Sequence, residues 1–289
     1  MSGANNLRGL VGYQQRYLTF RVLSTLGMRS LGQGSLGPQL REFSIEGRTS
    51  EYAPCWDVRF AFTDDTVELD ECKDTQITRA DRLVFYDRLR GEVASGTLAS
   101  QIAPTWVTDE CKQTPNILTY LSGIPAAVEN LNLASLPRVL PNRIVSTNDA
   151  VQEAVYRLCY FAGEDDIEDN KGSHKKKAKK LPRSCTLEEA KTLLTRLRIA
   201  RHRFQDLEQS VKLLATGVFN SGSADAVYKF ITGVLTDEIV TKGEARFTID
   251  SFLQAVGTTV LARDVQGRMR HLLSFNAASG FRHHIRLIR

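Results

Sequence analysis

The sequence has few of the residues that build covalent or metal cross-links. Its five cysteines are scattered and never form a CxxC pair, so we expect reduced thiols rather than a disulfide framework or a structural zinc site. No stretch approaches the roughly 18 consecutive apolar residues that a membrane span needs. The first residues also lack the apolar core of a secretory signal. The sequence therefore predicts a cytoplasmic protein with no membrane partner.

Signatures of several enzyme classes are missing as well. The sequence contains no Walker-type phosphate loop, and its five histidines, which cluster late in the chain, lie in no recognisable nucleophile context. If the protein works together with an NTPase, the nucleotide-hydrolysing site would therefore lie outside this sequence.

What is present is the composition of a globular protein. A hydrophobic fraction of 42% and a charged fraction of 25% predict a real core, and 289 residues predict one or two domains. The 38 basic residues exceed the 33 acidic ones by five, which favours a polyanionic partner.

Hydrophobic periodicity predicts a mixed α/β first half. Helical patterns cover residues 7–28, 78–93, 117–130 and a segment ending near 162. Strand patterns cover residues 42–46, 57–62, 66–73 and 143–146. This alternation predicts an α/β fold with a sheet flanked by helices.

The composition changes abruptly between residues 163 and 183. A block of acidic residues is followed there by a block of lysines, which is typical of a solvated, flexible loop. A capping box from Thr186 to Glu189 then opens a helix, and helical patterns dominate the remainder of the chain. We therefore predict a core over residues 1–162, a charged loop over 163–183 and a helical subdomain over 184–289.

The strongest chemical signal lies in the segment from Asp57 to Lys73. Side chains at i and i+2 of a strand share one face, so Glu71 and Lys73 point the same way and Cys72 points away. Two carboxylates, Asp57 and Glu71, with the Cys72 carbonyl are oxygen ligands that suit Mg²⁺ or Mn²⁺. A lysine beside such an ion can position water and offset charge that develops on a phosphate. The segment predicts metal-dependent phosphodiester hydrolysis.

The register of the hairpin formed by these strands has two alternatives. A three-residue turn places Asp57 opposite Glu71 on one face, but it also sets Phe60 against Glu68. A slip of one residue pairs Phe60 with Leu69, which packs better and moves Asp57 to the other face. A bulge near Asp57 would reconcile the two demands.

The other acidic residues of the hairpin are predicted to be turn or surface carboxylates: Asp64, Asp65, Glu68 and Asp70. If the register differs from the first alternative, Asp70 or Glu46 could replace a predicted ligand.

The Asp…Glu-x-Lys pattern on a hairpin between helices resembles the PD-(D/E)xK, or restriction-endonuclease-like, superfamily. The opening Gly9-Leu-Val-Gly12-Tyr13-Gln14 resembles the Gly-aromatic-Gln start of double-strand DNA endonuclease domains in bacterial antiphage effectors. Those include CD-NTase-associated effectors and NTPase-linked immune sensors. Trp56 stands where the superfamily name would put proline.

The resemblance implies roles for particular residues. Asp57 and Glu71 would bind the metal, Lys73 would be the catalytic lysine, and Gln14 would support the site, with Gln15 as its competitor.

The resemblance also implies a function. It predicts an Mg²⁺-dependent endonuclease that cuts duplex DNA with little sequence preference, as the effector of an antiphage system. Such an effector would work as a homo-oligomer or in an assembly with a sensor or NTPase. Two alternatives stay open: a catalytically silent DNA-binding or scaffold subunit, and an RNA-cleaving nuclease. The basic residues expected to contact phosphates are Lys175, Lys176, Lys177, Arg282 and Arg286.

Overall fold

The computed structural model describes residues 3–30, 38–130, 150–159, 184–219 and 224–264. Several predictions lie outside these residues: the strand at 143–146, the charged loop at 163–183, and the basic residues Lys175, Lys176, Lys177, Arg282 and Arg286.

The described part of the chain contains nine α-helices, two short 3-10 helices and six strands. The helices are α1 (Gly3–Ser30), α2 (Arg79–Ala94), α3 (Pro115–Ser122), α4 (Ile124–Glu129), α5 (Ala150–Cys159), α6 (Leu187–Thr195), α7 (Phe204–Phe219), α8 (Ala224–Lys242) and α9 (Ile249–Asp264). The strands are β1 (Leu40–Gly47), β2 (Trp56–Phe62), β3 (Val67–Lys73), β4 (Ile102–Thr108), β5 (Arg198–Arg201) and β6 (Ala245–Thr248). Within the described residues, no helix combines the length and the apolar composition needed to cross a lipid bilayer.

The strands form one mixed sheet in the order β5-β4-β3-β2-β1-β6. The first three strands are an antiparallel meander, β4 and β5 run parallel to β3, and β6 runs antiparallel to β1. The predicted fold class, a mixed sheet flanked by helices, is confirmed.

Helices cover both faces of the sheet and form two separate apolar layers. One layer joins the sheet to α1, α7, α8 and α9 through residues such as Phe43, Val58, Phe60, Val211 and Phe252. The other joins the opposite face to α2, α4, α5 and α6 through residues such as Leu69, Phe85, Trp106, Val155 and Leu193. Burial on both faces makes the middle strands fully internal.

The β2–β3 hairpin adopts the first of the two predicted registers. Phe60 pairs with Glu68 and Val58 with Asp70. Continued by one residue, this register places Asp57 opposite Glu71, as a shared site requires. The paired residues of β2 and β3 show no bulge, and the register shift of the meander lies in β1, between Leu40 and Glu42. Trp56 lies in the apolar layer on the α2 side and Val58 in the layer on the α1 side, so the alternation of β2 breaks next to Asp57.

An arginine from α1 explains why the apparently poorer packing is stable. Arg21 donates hydrogen bonds to both carboxylate oxygens of Glu68, at 2.6 and 3.0 Å. Its guanidinium carbon also lies 5.0 Å from the centre of the Phe60 ring. One cation therefore satisfies both members of the Phe60–Glu68 pair, through a bidentate ion pair and a cation–π contact.

Two elements differ from the sequence prediction in the middle of the chain. Strand β4 was not predicted, because all seven of its residues are buried and a parallel strand covered on both faces shows no alternation. The helix predicted over 117–130 is two helices, α3 and α4, since Pro125 lies in the first turn of α4 and cannot continue a helical hydrogen-bond ladder from α3.

The second half of the chain is not only helical. Strand β5 pairs with β4 at one edge of the sheet, and β6 pairs with β1 at the other. Helix α7 packs along α1. The described part of the predicted helical subdomain therefore extends the sheet of the core as well as covering it.

Candidate active site

Two carboxylates meet at the end of the β2–β3 hairpin. Asp57 Oδ2 accepts a hydrogen bond of 2.8 Å from the Cys72 backbone amide, which fixes the aspartate against β3. Asp57 is 9% exposed and Glu71 5% exposed. The Cys72 thiol lies in the apolar layer on the α1 side, as strand alternation predicted.

Helix α2 supplies a cation and a further carboxylate to this pair. Arg88 forms an ion pair with Glu71, and its Nη1 lies 3.9 Å from Asp57 Oδ1. Lys73 Nζ lies 2.8 Å from Asp81 Oδ1. Asp81 and Arg88 are seven residues apart, so two turns of helix bring them to the same face. The two basic groups thus lie between the hairpin and α2.

A capping box determines where α2 begins. Thr78 accepts a hydrogen bond from the Asp81 amide, while the Asp81 carboxylate accepts one from the Thr78 amide. The same carboxylate therefore holds both the helix start and the Lys73 ammonium. Partial burial opposes the ionisation of Asp81, but these bonds outweigh it and lower the pKa, so Asp81 stays ionised beside Lys73.

Burial makes the paired carboxylates harder to ionise. It raises the pKa of Glu71 to about 8, the charge of Asp57 adds to the rise, and Arg88 and Lys73 oppose it. Burial also raises the pKa of Asp57, against the Cys72 amide, the Arg88 guanidinium and the Gln14 side chain. The site is therefore short of positive charge, and a further cation would be stabilised there.

Gln14 of α1 reaches the same place and Gln15 does not. The Gln14 amide opposes the rise in pKa of both Asp57 and Glu46, so it lies close to each carboxyl group. Its Oε1 atom is buried and has no hydrogen-bond partner among the described residues. Gln15 instead donates to Thr236 Oγ1 on α8, at 3.0 Å. The structure thus places Gln14, rather than its competitor, beside the predicted ligands.

Glu46 belongs to the same neighbourhood. It has a φ of 55°, in the left-handed region that non-glycine residues seldom adopt, and it lies at the end of β1. Burial raises its pKa, and the nearby Asp57 adds to the effect. The Cys55 thiol lies 3.4 Å from its Oε2 atom. Glu46 therefore stands next to Asp57 without replacing it.

The prediction for Glu68 and Asp70 as surface carboxylates is wrong. Glu68 is 4% exposed and Asp70 is fully buried, because α1 covers the face of β3 on which both lie. Asp70 also cannot replace a site ligand, since it lies on the opposite face of β3 from Glu71. The turn residues Asp64 and Asp65 are exposed, as predicted.

The donor atoms at this site fit a hard divalent cation. Among the described residues, no group of three or more His, Cys, Asp or Glu side chains has the arrangement of a metal site. The available oxygens are instead the carboxylates of Asp57 and Glu71, the unpartnered Oε1 of Gln14 and the Cys72 carbonyl. Mg²⁺ combines a small number of carboxylates with neutral oxygens and water, so this set suits it. The ligand roles stay predictions.

Sequence reasoning missed Arg88 and Asp81. Their signal was the repeat of charged residues seven positions apart on a helix that directly follows the hairpin. That helix had been predicted, but its charged residues were not separated into those that face the sheet and those that face solvent.

No protein-family model matches the sequence, and no match was found among curated proteins. Among solved structures, the fold is similar to the Cap4 SAVED/CARF-domain containing receptor of Moraxella osloensis, with a TM-score of 0.45 and 10% identity over 90% of this chain. It is also similar to the Cap4 receptor of Acinetobacter baumannii with the cyclic trinucleotide 3'3'3'-cAAA, with a TM-score of 0.43 and 11% identity over 88% of this chain. The chain spans about half the length of each receptor, 49% and 48% respectively.

Proposed function

We propose that this protein is a metal-dependent endonuclease that hydrolyses phosphodiester bonds of DNA. The observation that carries the proposal is the hairpin register, which brings Asp57 opposite Glu71 when it is continued one residue beyond the Val58–Asp70 pair. Lys73 lies on the same face as Glu71 by strand alternation. Both carboxylates are buried with raised pKa values, so they favour a cation between them.

Asp57 and Glu71 would hold Mg²⁺ or Mn²⁺, with Gln14 and the Cys72 carbonyl beside them. Such an ion polarises a phosphate and increases the acidity of water when it is bound. Lys73 lies on the face of Glu71 and is held in place by Asp81 at 2.8 Å. Its ammonium can orient the attacking water and offset the charge that grows on the phosphate oxygens.

The proposal includes the biological setting that the sequence resemblance implied. The protein would cut duplex DNA with little sequence preference, as an antiphage effector. It would act as a homo-oligomer or with a sensor or NTPase component, because two sites are needed to cut both strands. An RNA substrate would use the same side chains.

One observation favours a second candidate, the catalytically silent DNA-binding or scaffold subunit. Arg88 bonds to Glu71 and approaches Asp57, so it already supplies positive charge where a divalent ion would bind. If Arg88 holds this position permanently, the site binds no metal and cuts nothing.

Incubation of the full chain with supercoiled plasmid separates these candidates. The protein is tested with Mg²⁺ and Mn²⁺ over a concentration range that includes its assembled states, which light scattering identifies. We expect cleavage that disappears in Lys73→Ala while DNA binding persists. Lys242→Ala is the matched control, since this exposed lysine at the end of α8 pairs with a neighbouring glutamate, Glu238, on the same helix.

Three results are informative. Equal cleavage by wild type and Lys73→Ala would overturn the assignment of the site. Binding without cutting in every assembled state would support the scaffold candidate. Cleavage of a single-stranded RNA but not of plasmid, lost in Lys73→Ala, would assign RNA as the substrate.

A further inference from the structure

A cleft lies one strand away from the candidate active site. It has a volume of about 510 Å³ and opens between β5 and the segment that leads from β4 into α3. The residues that line it include two arginines, Arg201 and Arg203, together with Glu110 and Thr119. The proposed catalytic residues do not line this cleft.

The sheet register connects the cleft to Lys73. Strands β3, β4 and β5 are parallel, and Lys73 pairs with Thr108, which pairs with Arg201. Paired residues of parallel strands share a face, so Lys73 and Arg201 lie on the same side of the sheet at its carboxyl edge. Two strand spacings put their Cα atoms about 10 Å apart.

A glutamine ties the wall of the cleft to the active-site strand. Gln113 lines the cleft, and its Oε1 accepts a hydrogen bond of 2.8 Å from the Ile77 amide. Its amide nitrogen donates to the Thr75 carbonyl at 2.5 Å. Because Thr75 and Ile77 follow directly after β3, the cleft keeps a defined position relative to Lys73.

The two arginines of the cleft differ in their partners among the described residues. Arg201 is exposed, and its guanidinium has no ion pair or hydrogen bond in the part of the chain that the structure describes. Arg203 pairs with Glu110 at 2.7 Å and keeps a side-chain exposure of 57%. Between Lys73 and Arg201, the hydroxyl of Thr108 is buried without a hydrogen-bond partner among the described residues. Lys73 and Arg203 are paired with Asp81 and Glu110, so among the described residues Arg201 is the exposed cation of this row that has no acceptor.

We propose that the cleft binds a backbone phosphate of the DNA strand, next to the linkage that lies at Lys73. This inference rests on the proposed nuclease function and adds the path of the substrate. A guanidinium binds a phosphate through two parallel hydrogen bonds, and Arg201 has its donors available. The phosphate charge is recognised without regard to base, which agrees with cutting that has little sequence preference.

The test measures DNA binding by the full chain carrying Lys73→Ala, so that the probe is not cut. Fluorescence anisotropy of a short labelled duplex is followed between about 50 and 200 mM salt. Arg201→Gln should weaken binding about 5- to 10-fold and reduce the slope of log K against log salt by about one. Arg201→Lys keeps the charge and should restore most of the slope.

Arg198→Gln is the matched control. Arg198 is an exposed arginine of the same strand, three residues earlier, and it lies on the opposite face of the sheet. It should leave both affinity and slope unchanged. Equal effects of Arg198→Gln and Arg201→Gln would overturn the proposal, as would a chain that binds no DNA.

Failure of this inference differs from failure of the proposed function. If the wild-type protein cuts plasmid and Arg201→Gln binds DNA as tightly as Arg198→Gln, the nuclease proposal stands and the cleft proposal fails. If the protein cuts no nucleic acid but Arg201→Gln alone weakens DNA binding, the cleft proposal stands and the nuclease proposal fails.

Discussion

Strand β3 carries acidic residues on both faces, and the surroundings of these residues differ between the two faces. On the α2 side, Glu71 shares its surroundings with Asp57, Arg88 and Lys73, and the basic side chains keep 30% and 21% of their surface exposed. On the α1 side, which we call the closed face because Asp70 is fully buried there, Glu68 pairs with Arg21, whose side chain is also 30% exposed.

The difference shows that a raised pKa alone does not identify an active site. Burial raises the pKa of Asp70 well above its usual range, and the neighbouring Glu68 adds to it, against Arg21, Tyr17 and Thr105. Yet Asp70 is fully buried, so no substrate or hydrated ion reaches it. The cations do not separate the two faces, since the side chains of Arg21 and Arg88 are each 30% exposed. The difference lies in the second carboxylate, because Asp57 keeps 9% of its surface exposed and Asp70 keeps none.

Substitutions on the two faces of β3 test this difference, and the largest expected effect is on catalysis. Asp57→Asn, Glu71→Gln and Lys73→Ala each remove a group that would act on the reacting phosphate, so plasmid cleavage should fall about 100-fold or more. Asp70→Asn, on the closed face, should leave cleavage unchanged. Initial rates of plasmid nicking at matched protein concentration measure both, and a similar loss in Asp70→Asn would contradict the distinction between the faces.

The next effect is on stability and distinguishes the two arginines. Arg21→Met leaves the Glu68 carboxylate buried without its counter-ion, so the free energy of unfolding should fall by about 3–5 kcal/mol. Arg88→Met should cost less, because Glu71 can take up a proton or bind an external cation. Urea unfolding with and without millimolar Mg²⁺ measures the change in each variant.

Magnesium supplies the control within that experiment. It should restore stability to Arg88→Met more than to Arg21→Met, because Asp57 beside Glu71 is partly exposed, whereas Asp70 beside Glu68 is fully buried. If Mg²⁺ stabilises neither variant, the Asp57–Glu71 pair does not bind the ion and the silent-site candidate gains support.

The pH dependence of stability tests the closed face alone. The pKa of Asp70 is raised in the folded state, so folding retains a proton that the unfolded chain releases. As the pH rises above the pKa that Asp70 has in the unfolded chain, the wild type should therefore lose stability relative to Asp70→Asn. The loss is up to about 1.4 kcal/mol per pH unit. Urea unfolding of both proteins at about pH 5 and about pH 8 checks this. A difference that does not change with pH would show that Asp70 is ionised in the fold.

An effect of the same size per pH unit is expected on ion affinity at the face that carries Asp57 and Glu71. Glu71 has a pKa of about 8 without a metal, so a divalent ion must displace its proton at lower pH. The apparent affinity for Mg²⁺ should rise about tenfold per pH unit until about pH 8 and then level off. Calorimetric titration measures it, and Asp70→Asn should show the same pH profile as the wild type. A profile that is flat below pH 8 would contradict the raised pKa.

Much of the fold could be predicted because its signals are local. Helices α1 and α2 follow from the spacing of apolar residues, and the strands of the meander from short β-forming runs. The capping boxes that begin with Thr78 and Thr186 are visible within four residues. Strand β4 gave no such signal, since a strand buried on both faces has no periodicity to detect.

The candidate site could be predicted only in part. Glu71 and Lys73 share a face by alternation alone, and Gln14 came from a motif near the start of the chain. Arg88 and the choice of Gln14 over Gln15 required the packing of α2 and α1 against the sheet. The burial of Glu68 and Asp70 likewise depends on which helix covers them.

The sequence by itself determined the hairpin, its flanking helices and the common face of Glu71 and Lys73, because neighbouring residues set all three. Tertiary structure decided the register and the access to each acidic pair. Arg21 is 47 residues from Glu68 and makes the pairing of Phe60 with Glu68 stable. Counter-ions and burial come from segments that are distant in sequence, and only packing brings them together.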